Sequence, residues 1–170
     1  CGYSLDLSMA IVSRALFHSD NAYFIPNATF TGYLCKTNTA SNTAFRGFGG
    51  PQGMLAIENI VEEIANTLGL DPLEVRRSNF YQKNENNVTP YSQVIEDNII
   101  SEITDELISD SNYHSRRKEI DKFNKDNRYL KKGLAFSPVK FGISFTTQFL
   151  NQAGALVSIY KDGSIPVSYT

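Results

Sequence analysis

The segment AFRGFGGPQG, residues 44–53, holds the residue types that could most readily bind a ligand. Its glycines lack a Cβ atom, so the backbone there can approach a ligand closely. Arg46 and Phe48 alternate with these glycines, and such a loop could hold an anionic or a planar ligand. A predicted helix follows directly, which would place free N–H groups and the positive end of the helix dipole beside that ligand. A tight structural turn before a helix explains the same residues equally well, so both interpretations stay open.

This loop differs from the two common nucleotide-binding motifs. It lacks the GxGxxG spacing and the strand-to-helix crossover of a dinucleotide-binding fold. No Gly-Lys-Ser or Gly-Lys-Thr sequence follows it, as a phosphate-binding P-loop would require. The segment is therefore a candidate site of another kind.

Outside the loop, few residues form the patterns that catalysis requires. Arg14 lies in an otherwise apolar helical segment, and the periodicity alone favours a surface residue whose charged end reaches solvent. His18 and His114 stand alone without the spacing of metal ligands, so a metal site is not expected. Glu58 and its acidic neighbours on the following helix are expected to face solvent. No nucleophilic triad can be assembled, and no general base is assigned.

Apolar spacing predicts where the helices and strands lie. The clearest helix runs from Pro51 to Leu68 and ends at Gly69, and Asp71 caps the short helix that follows. The dipeptide Asp162-Gly163 predicts a hairpin turn. These patterns indicate an α+β fold. The other predicted elements are helices over residues 7–17, 98–109 and 112–126, and strands over residues 29–35, 131–145 and 154–170.

Composition restricts the class of protein. A formal charge of −2 over 170 residues gives no electrostatic reason to expect binding to nucleic acid or to an anionic membrane. No apolar run approaches the roughly 18 residues that a membrane-spanning helix needs. Two cysteines, Cys1 and Cys35, are too few for a disulfide framework and favour a reducing compartment. The cytoplasm is therefore the expected location.

Both ends of the chain predict an internal piece of a longer protein. The chain begins at Cys1 without a Met, and it stops within SIPVSYT, which is typical of a strand leaving a turn. Native domains usually end in polar, mobile segments instead. A boundary between two lobes is expected in the helical stretch between Ile95 and Leu130.

Six stretches, taken in chain order, resemble the molybdopterin-binding part of the xanthine dehydrogenases, which are molybdenum hydroxylases. The resemblance covers nearly all 170 residues, and SNTAFRGFGGPQG and KFGISFT are its most specific parts. The stretches are CGYSLDLS, RALFHSDNAY, SNTAFRGFGGPQG, LEVRRSNFY, EIDKFNK and KFGISFTTQFLNQAGALVSIYKDGS.

The resemblance implies a two-lobed molybdenum cofactor-binding domain. The C-terminal part of the first lobe would span residues 1–110, and the start of the second would span residues 111–170. The parent protein would hydroxylate hypoxanthine and xanthine to urate at a molybdenum–molybdopterin centre. Electrons would leave through 2Fe-2S clusters and FAD on other domains or subunits and pass to NAD. Expected partners are those domains and the remainder of the molybdopterin subunit, in an oligomeric parent.

The resemblance also implies roles for five residues. Arg46 would contact the cofactor within the environment of the molybdenum, without being a ligand of the metal. Phe48 and Phe145 would clamp the purine between their rings, and Thr146 would be a polar neighbour of that clamp. Arg14 would bind the purine, since aldehyde oxidases usually carry an apolar residue at that position. The general-base glutamate of the family lies outside this stretch, so these residues alone are expected to be inactive and free of cofactor.

Two other interpretations stay open at this point. The parent could be an aldehyde oxidase-like molybdenum hydroxylase, which Arg14 argues against. The chain could also be a non-catalytic module that serves as scaffold or subunit interface, without molybdenum or activity.

Overall fold

Helices dominate the architecture, and a small hairpin follows them near the end of the chain. The computed structural model describes residues 1–145 and 148–169. Its strands pair antiparallel, with Leu156 opposite Ser168. The helices are α1 (Ser8–Phe17), α2 (Gly50–Leu68), α3 (Pro72–Ser78), α4 (Ile100–Asp110) and α5 (Tyr113–Asp126), a 3₁₀ turn spans Gln148–Leu150, and the strands are β1 (Ala155–Val157) and β2 (Val167–Tyr169).

The predicted helices are confirmed, and their ends obey the predicted local chemistry. Gly69 ends α2 in the left-handed conformation, with a φ of 66°. The Asp71 side chain accepts a hydrogen bond from the Leu73 N–H at 2.8 Å and so caps α3. The hairpin prediction is also confirmed, because β1 and β2 flank Asp162-Gly163. A mixture of helices with a small sheet is an α+β arrangement.

The strand predictions over residues 29–35 and 131–145 are wrong. Residues 29–35 form only an isolated parallel bridge, between Gly2 and Cys35. Residues 131–145 lie outside every helix and strand. Side chains of α1 and the turn after it hold part of this second segment, so its backbone groups do not enter a strand ladder. The alternation of apolar and polar residues cannot distinguish an extended segment held by side chains from a strand held by a backbone ladder.

Helix α2 lies against both α1 and α3 and forms the centre of the core. Its start crosses α1 very closely. A Cβ at Gly49 would lie 2.1 Å from the Ile11 carbonyl oxygen, and one at Gly53 would lie 2.1 Å from the Ala15 carbonyl oxygen. Only glycine permits this crossing, so the structural-turn interpretation of the loop is correct for part of it. The central core cluster consists of Ala22, Tyr23, Ile57, Val61, Ala65, Val75 and Phe80.

The turn that follows α1 anchors the segment in which the KFGISFT motif begins. Asn21, which is completely buried, donates from Nδ2 to the Pro138 carbonyl oxygen at 2.9 Å. Its Oδ1 accepts the Lys140 N–H at 3.1 Å. The Lys140 ammonium also pairs with the buried carboxylate of Asp20. These contacts fix residues 138–140 beside the C-terminal end of α1.

Among residues 1–145 and 148–169, no helix combines the length and the apolar character that crossing a bilayer requires.

Candidate functional site

Arg14 is buried, which contradicts the surface position that helical periodicity favoured. Only 6% of the residue is exposed. Its Nη1 donates to the Gly142 carbonyl oxygen at 2.6 Å, and its Nη2 donates to the Ser144 carbonyl oxygen. Its guanidinium also lies 5.5 Å from the centre of the Phe141 ring. The Nε atom is buried and has no hydrogen-bond partner among the described residues.

The rings of Phe48 and Phe145, the two residues of the predicted clamp, lie close together. Their ring centroids are 5.9 Å apart, and the ring planes are inclined by 46°. Both side chains are partly buried, and both line a cleft of about 550 Å³ together with Arg14. Small-molecule sites usually measure about 300–1,000 Å³, so this cleft is of the right size for one. The structure therefore brings three of the predicted site residues to one place.

The backbone at Phe48 is unusual for a bulky residue. Its φ is 49°, in the left-handed region that favours glycine. Holding a phenylalanine there costs about 1–3 kcal/mol, a strain that persists where the surrounding fold requires it. Gly47 and Gly49 on either side also have positive φ values, 82° and 107°. The loop thus aims an aromatic ring into the cleft at a cost in stability.

Arg46 lies on the same loop, one residue before Gly47, and its side chain is exposed. It does not line the cleft that contains Phe48. Thr146 lies outside the described residues, so its position is not compared with the prediction. Within the described part of the chain, no group of three or more His, Cys, Asp or Glu side chains is placed to hold a metal ion.

His18, the C-cap residue directly after α1, is buried near Arg14, with 5% exposure. Its Nδ1 lies 2.9 Å from the Arg14 carbonyl oxygen, and its Nε2 accepts the Gly142 N–H at 3.1 Å. Its ring lies 4.8 Å from that of Phe141. Burial lowers the pKa of His18 below its usual 6.5. Sequence reasoning missed this residue, although its spacing of four from Arg14 places both on one helix face.

Glu58 does not face solvent, so that expectation is wrong. Its carboxylate accepts hydrogen bonds from the Tyr23 hydroxyl at 2.6 Å and from the Asn21 amide at 2.9 Å. It also pairs with the buried Arg76 guanidinium at 2.9 Å. Burial, together with the adjacent Glu58 carboxylate, raises the pKa of Tyr23 well above its usual value of 10. This network lies behind the turn that holds residues 138–140 and has a structural role.

A second cavity, of about 740 Å³, shares Arg14 and Phe145 with the cleft but not Phe48. Its walls come from the end of α1, the loop before α4 and the Lys140–Phe145 segment. Arg14 therefore separates two open spaces. We regard the smaller cleft as the candidate substrate site because both predicted rings line it.

Comparison with known proteins identifies the family. Two models of the molybdopterin cofactor-binding domain match the chain, one over residues 1–80 and the other over residues 106–170. The chain is 52% identical over 168 residues to a xanthine dehydrogenase of Dictyostelium discoideum and 53% identical over 168 residues to a xanthine dehydrogenase/oxidase of Felis catus. Each alignment covers 99% of this chain and 12% of the relative.

Solved structures carry the same fold. An aldehyde oxidoreductase from Desulfovibrio gigas superposes with a TM-score of 0.64 at 25% identity, over 98% of this chain and 17% of that one. The aldehyde oxidoreductase from Desulfovibrio desulfuricans gives 0.65 at 22% identity, with the same coverage, and shows the fold alone. The chain belongs to the molybdopterin cofactor-binding domain family, in the form found in xanthine dehydrogenases. It spans about 12% of the length of those curated relatives.

Proposed function

We propose that the chain forms the purine-binding wall of a larger xanthine dehydrogenase that oxidises hypoxanthine and xanthine to urate. The observation that carries this proposal is the buried Arg14 guanidinium, whose Nε has no partner among the described residues, beside the paired rings of Phe48 and Phe145. A buried polar donor without a partner costs about 1–3 kcal/mol. A heterocycle that carries carbonyl oxygens and ring nitrogens offers acceptors to a guanidinium that lines the cleft, and its flat faces offer a surface for the two rings.

The two rings have the role of orienting the substrate. Phe48 comes from the loop before α2, and Phe145 comes from the segment that the end of α1 holds in place. A flat heterocycle that stacks on such rings gains about 1–3 kcal/mol for each stacked ring. Because the rings come from separate parts of the chain, their spacing depends on the fold. The inclined pair with its cleft thus favours a planar, aromatic substrate.

Arg14 has the role of stabilising negative charge on the heterocycle. Negative charge develops on a purine when a nucleophile adds to one of its carbon atoms. A fixed cation in a site that excludes water stabilises such charge without reorganising. The Gly142 and Ser144 carbonyl groups fix the guanidinium, so that it is in place before the reaction begins. The contact therefore strengthens as the reaction proceeds, which raises kcat.

The residues present fit a bound molybdopterin cofactor. Arg46, exposed on the loop, offers planar donors that suit anionic oxygen atoms. The start of α2, beside the same loop, adds the positive end of a helix dipole. The chemistry that the molybdenum–pterin group supplies in this family is hydroxylation of the substrate carbon with uptake of its electrons. In this proposal the described residues position the purine and supply the Arg14 cation, and the general base comes from another part of the parent protein.

The proposed parent is a cytoplasmic, oligomeric enzyme in which this chain contributes parts of two lobes. Residues 1–110 belong to the first and residues 111–170 to the second. Two separate family matches, over residues 1–80 and 106–170, support a division near this point. The other partners are the remaining molybdopterin-binding segments and the domains or subunits that carry the 2Fe-2S clusters and FAD. Exposed apolar side chains on α2, such as Leu55 and Leu68, offer surface for such contacts.

An aldehyde oxidase-like activity is the second candidate, because two aldehyde oxidoreductases share the fold. The purified full-length parent distinguishes the candidates when urate formation from xanthine and oxidation of an aromatic aldehyde are measured together with molybdenum content. We expect stoichiometric molybdenum and a higher kcat/KM for xanthine. A preference for the aldehyde would favour the second candidate. A full-length protein without molybdenum and without either activity would establish a scaffold.

A further inference from the structure

His18 and Arg14 hold one residue of the facing segment from both of its backbone groups. The Gly142 N–H donates to His18 Nε2 at 3.1 Å, and the Gly142 carbonyl oxygen accepts from Arg14 Nη1 at 2.6 Å. The two side chains are four residues apart, with Arg14 inside α1 and His18 at its C-cap, and both reach the facing segment. Gly142 is therefore held between two side chains at the end of α1.

The hydrogen bonds of His18 define its protonation state. Nδ1 faces the Arg14 carbonyl oxygen, which can only accept, so Nδ1 carries the proton. Nε2 faces the Gly142 N–H, which can only donate, so Nε2 is unprotonated. The ring is consequently neutral and in one tautomer.

The surroundings of the ring favour that neutral form. Burial lowers the pKa of His18, and the positive charges of Arg14 on α1 and Lys140 on the facing segment lower it further. The hydrogen bond to the Arg14 carbonyl oxygen raises the pKa, as does the Asp20 carboxylate in the turn after α1, but the net shift is downward. On the third side lies the start of α2 at Gly50, which has no charged side chain. The positive end of its helix dipole also disfavours a protonated ring.

His18 also occupies a specific place along the facing segment. Asn21 and Asp20 fix that segment up to Lys140. Gly142 is the next residue whose backbone is held, and Phe145 of the ring pair follows three residues later. Loss of the hydrogen bond at Gly142 would leave this part of the segment held by Arg14, at Gly142 and Ser144, and by Asn151, at Phe145.

We propose that His18 is a positioning residue for the cleft that Arg14, Phe48 and Phe145 line: it holds Gly142 against α1 and thereby helps to set the places of the Arg14 guanidinium and the Phe145 ring. The inference rests on the proposed function, since it assigns His18 a task at that same cleft. His18 touches neither the substrate nor the cofactor in this account.

Two substitutions in the full-length parent separate the two hydrogen bonds. His18→Gln can place an oxygen acceptor near the position of Nε2, whereas His18→Asn can place an N–H donor near the position of Nδ1 but cannot reach Gly142. Both remove the ring that contacts Phe141, so a purely structural role predicts similar losses. We expect kcat/KM for xanthine to fall about 10- to 100-fold in His18→Asn, because a misplacement of about 1 Å can cost that much. His18→Gln should restore most of this loss, and KM and kcat should be reported separately for each variant.

The pH profile supplies an independent readout. Protonation of Nε2 removes the acceptor for the Gly142 N–H. In the wild type, kcat/KM for xanthine should therefore fall as the pH drops below 6.5 through the lowered pKa of His18. His18→Gln should lack this acid limb, because its amide does not titrate. An unchanged acid limb in His18→Gln would contradict the proposal, as would equal losses in the Gln and Asn variants or no loss in His18→Asn.

A double substitution shows whether His18 acts through Arg14. In an Arg14→Met background, His18→Asn should cause little further loss on xanthine, because coupled residues are not additive. Full additivity would contradict the proposal. If Arg14→Met impairs xanthine oxidation while His18→Asn does not, only the role of His18 fails. If Arg14→Met itself leaves xanthine kinetics unchanged, the proposed function fails and this inference fails with it.

Discussion

The Phe48 ring lies 5.9 Å from the Phe145 ring, although its own backbone is held at a φ of 49°. A phenylalanine in that conformation is strained by about 1–3 kcal/mol, and a glycine would not be. Gly47 and Gly49 on either side have positive φ values, so the loop conformation is fixed by more than this one residue. The strain is understandable if the ring is needed in the cleft.

Substitution of Phe48 should separate stability from activity. In the full-length parent, Phe48→Gly should lower kcat/KM for xanthine by the equivalent of about 1–3 kcal/mol, through loss of stacking. The thermal midpoint should stay constant or rise, because glycine relieves the backbone strain. Steady-state kinetics and calorimetry of the same preparation measure both effects. The exposed Tyr129→Ala provides an aromatic control away from the cleft. Unchanged xanthine kinetics in Phe48→Gly would mean that the ring is packing alone.

Glycine substitutions at the crossing of α1 and α2 should differ sharply from one at the end of α2. Gly49→Ala would place a Cβ 2.1 Å from the Ile11 carbonyl oxygen at a φ of 107°, whereas Gly69→Ala at a φ of 66° meets no atom within 4 Å. The second change should cost about 1–2 kcal/mol from backbone strain alone. The first should cost more than about 3 kcal/mol, because overpacking adds to the strain. Thermal unfolding of the parent variants measures the difference, and equal midpoints would refute the close crossing.

The buried carboxylate of Glu58 should matter for folding and not for chemistry. Glu58→Gln removes the negative charge that the buried Arg76 guanidinium faces at 2.9 Å. Removing one partner of a buried ion pair costs about 3–5 kcal/mol, and the ion pair that Arg76 keeps with Glu62 at 3.0 Å should hold the loss below that range. Glu63→Gln, on the exposed side of the same helix, is the matched control and should be nearly neutral. The measurement is the thermal midpoint of each parent variant. A similar small shift in both would show that Glu58 is solvated.

Local chemistry predicts the helices well, because their signals lie within a few residues. Gly69 and the capping Asp71 mark the end of α2 and the start of α3 directly in the sequence. The failures depend on distant contacts. Arg14 is buried because it donates to carbonyl oxygens 128 and 130 residues further along the chain. Residues 131–145 look like a strand but are held partly by side chains of α1 and its following turn. Periodicity cannot reveal either relationship.

The candidate site likewise combines residues that sequence motifs indicate with residues that depend on distant contacts. Phe48 and Phe145 were assigned from motifs that resemble one family, and the fold brings their rings together. The loop that carries Phe48 supports two interpretations from sequence, and both describe part of it: Gly49 serves the helix crossing and Phe48 lines the cleft. His18 was not assigned because one histidine without a partner carries no signal. Its partner is a backbone N–H of a remote glycine, which no side-chain pattern marks.

The substrate preference of Arg14 variants tests the central claim most directly. Full-length wild type, Arg14→Met and Arg14→Lys should be compared on xanthine and on an aromatic aldehyde in parallel. Arg14→Met removes the buried cation and should lower kcat on xanthine by about 10²–10³-fold, while aldehyde oxidation is spared or improved. Arg14→Lys keeps the charge without the planar fork that binds the two carbonyl oxygens, so it should recover only part of the xanthine rate. Equal losses on both substrates in Arg14→Met would show that Arg14 only holds the Gly142–Ser144 backbone, and would contradict its role in purine recognition.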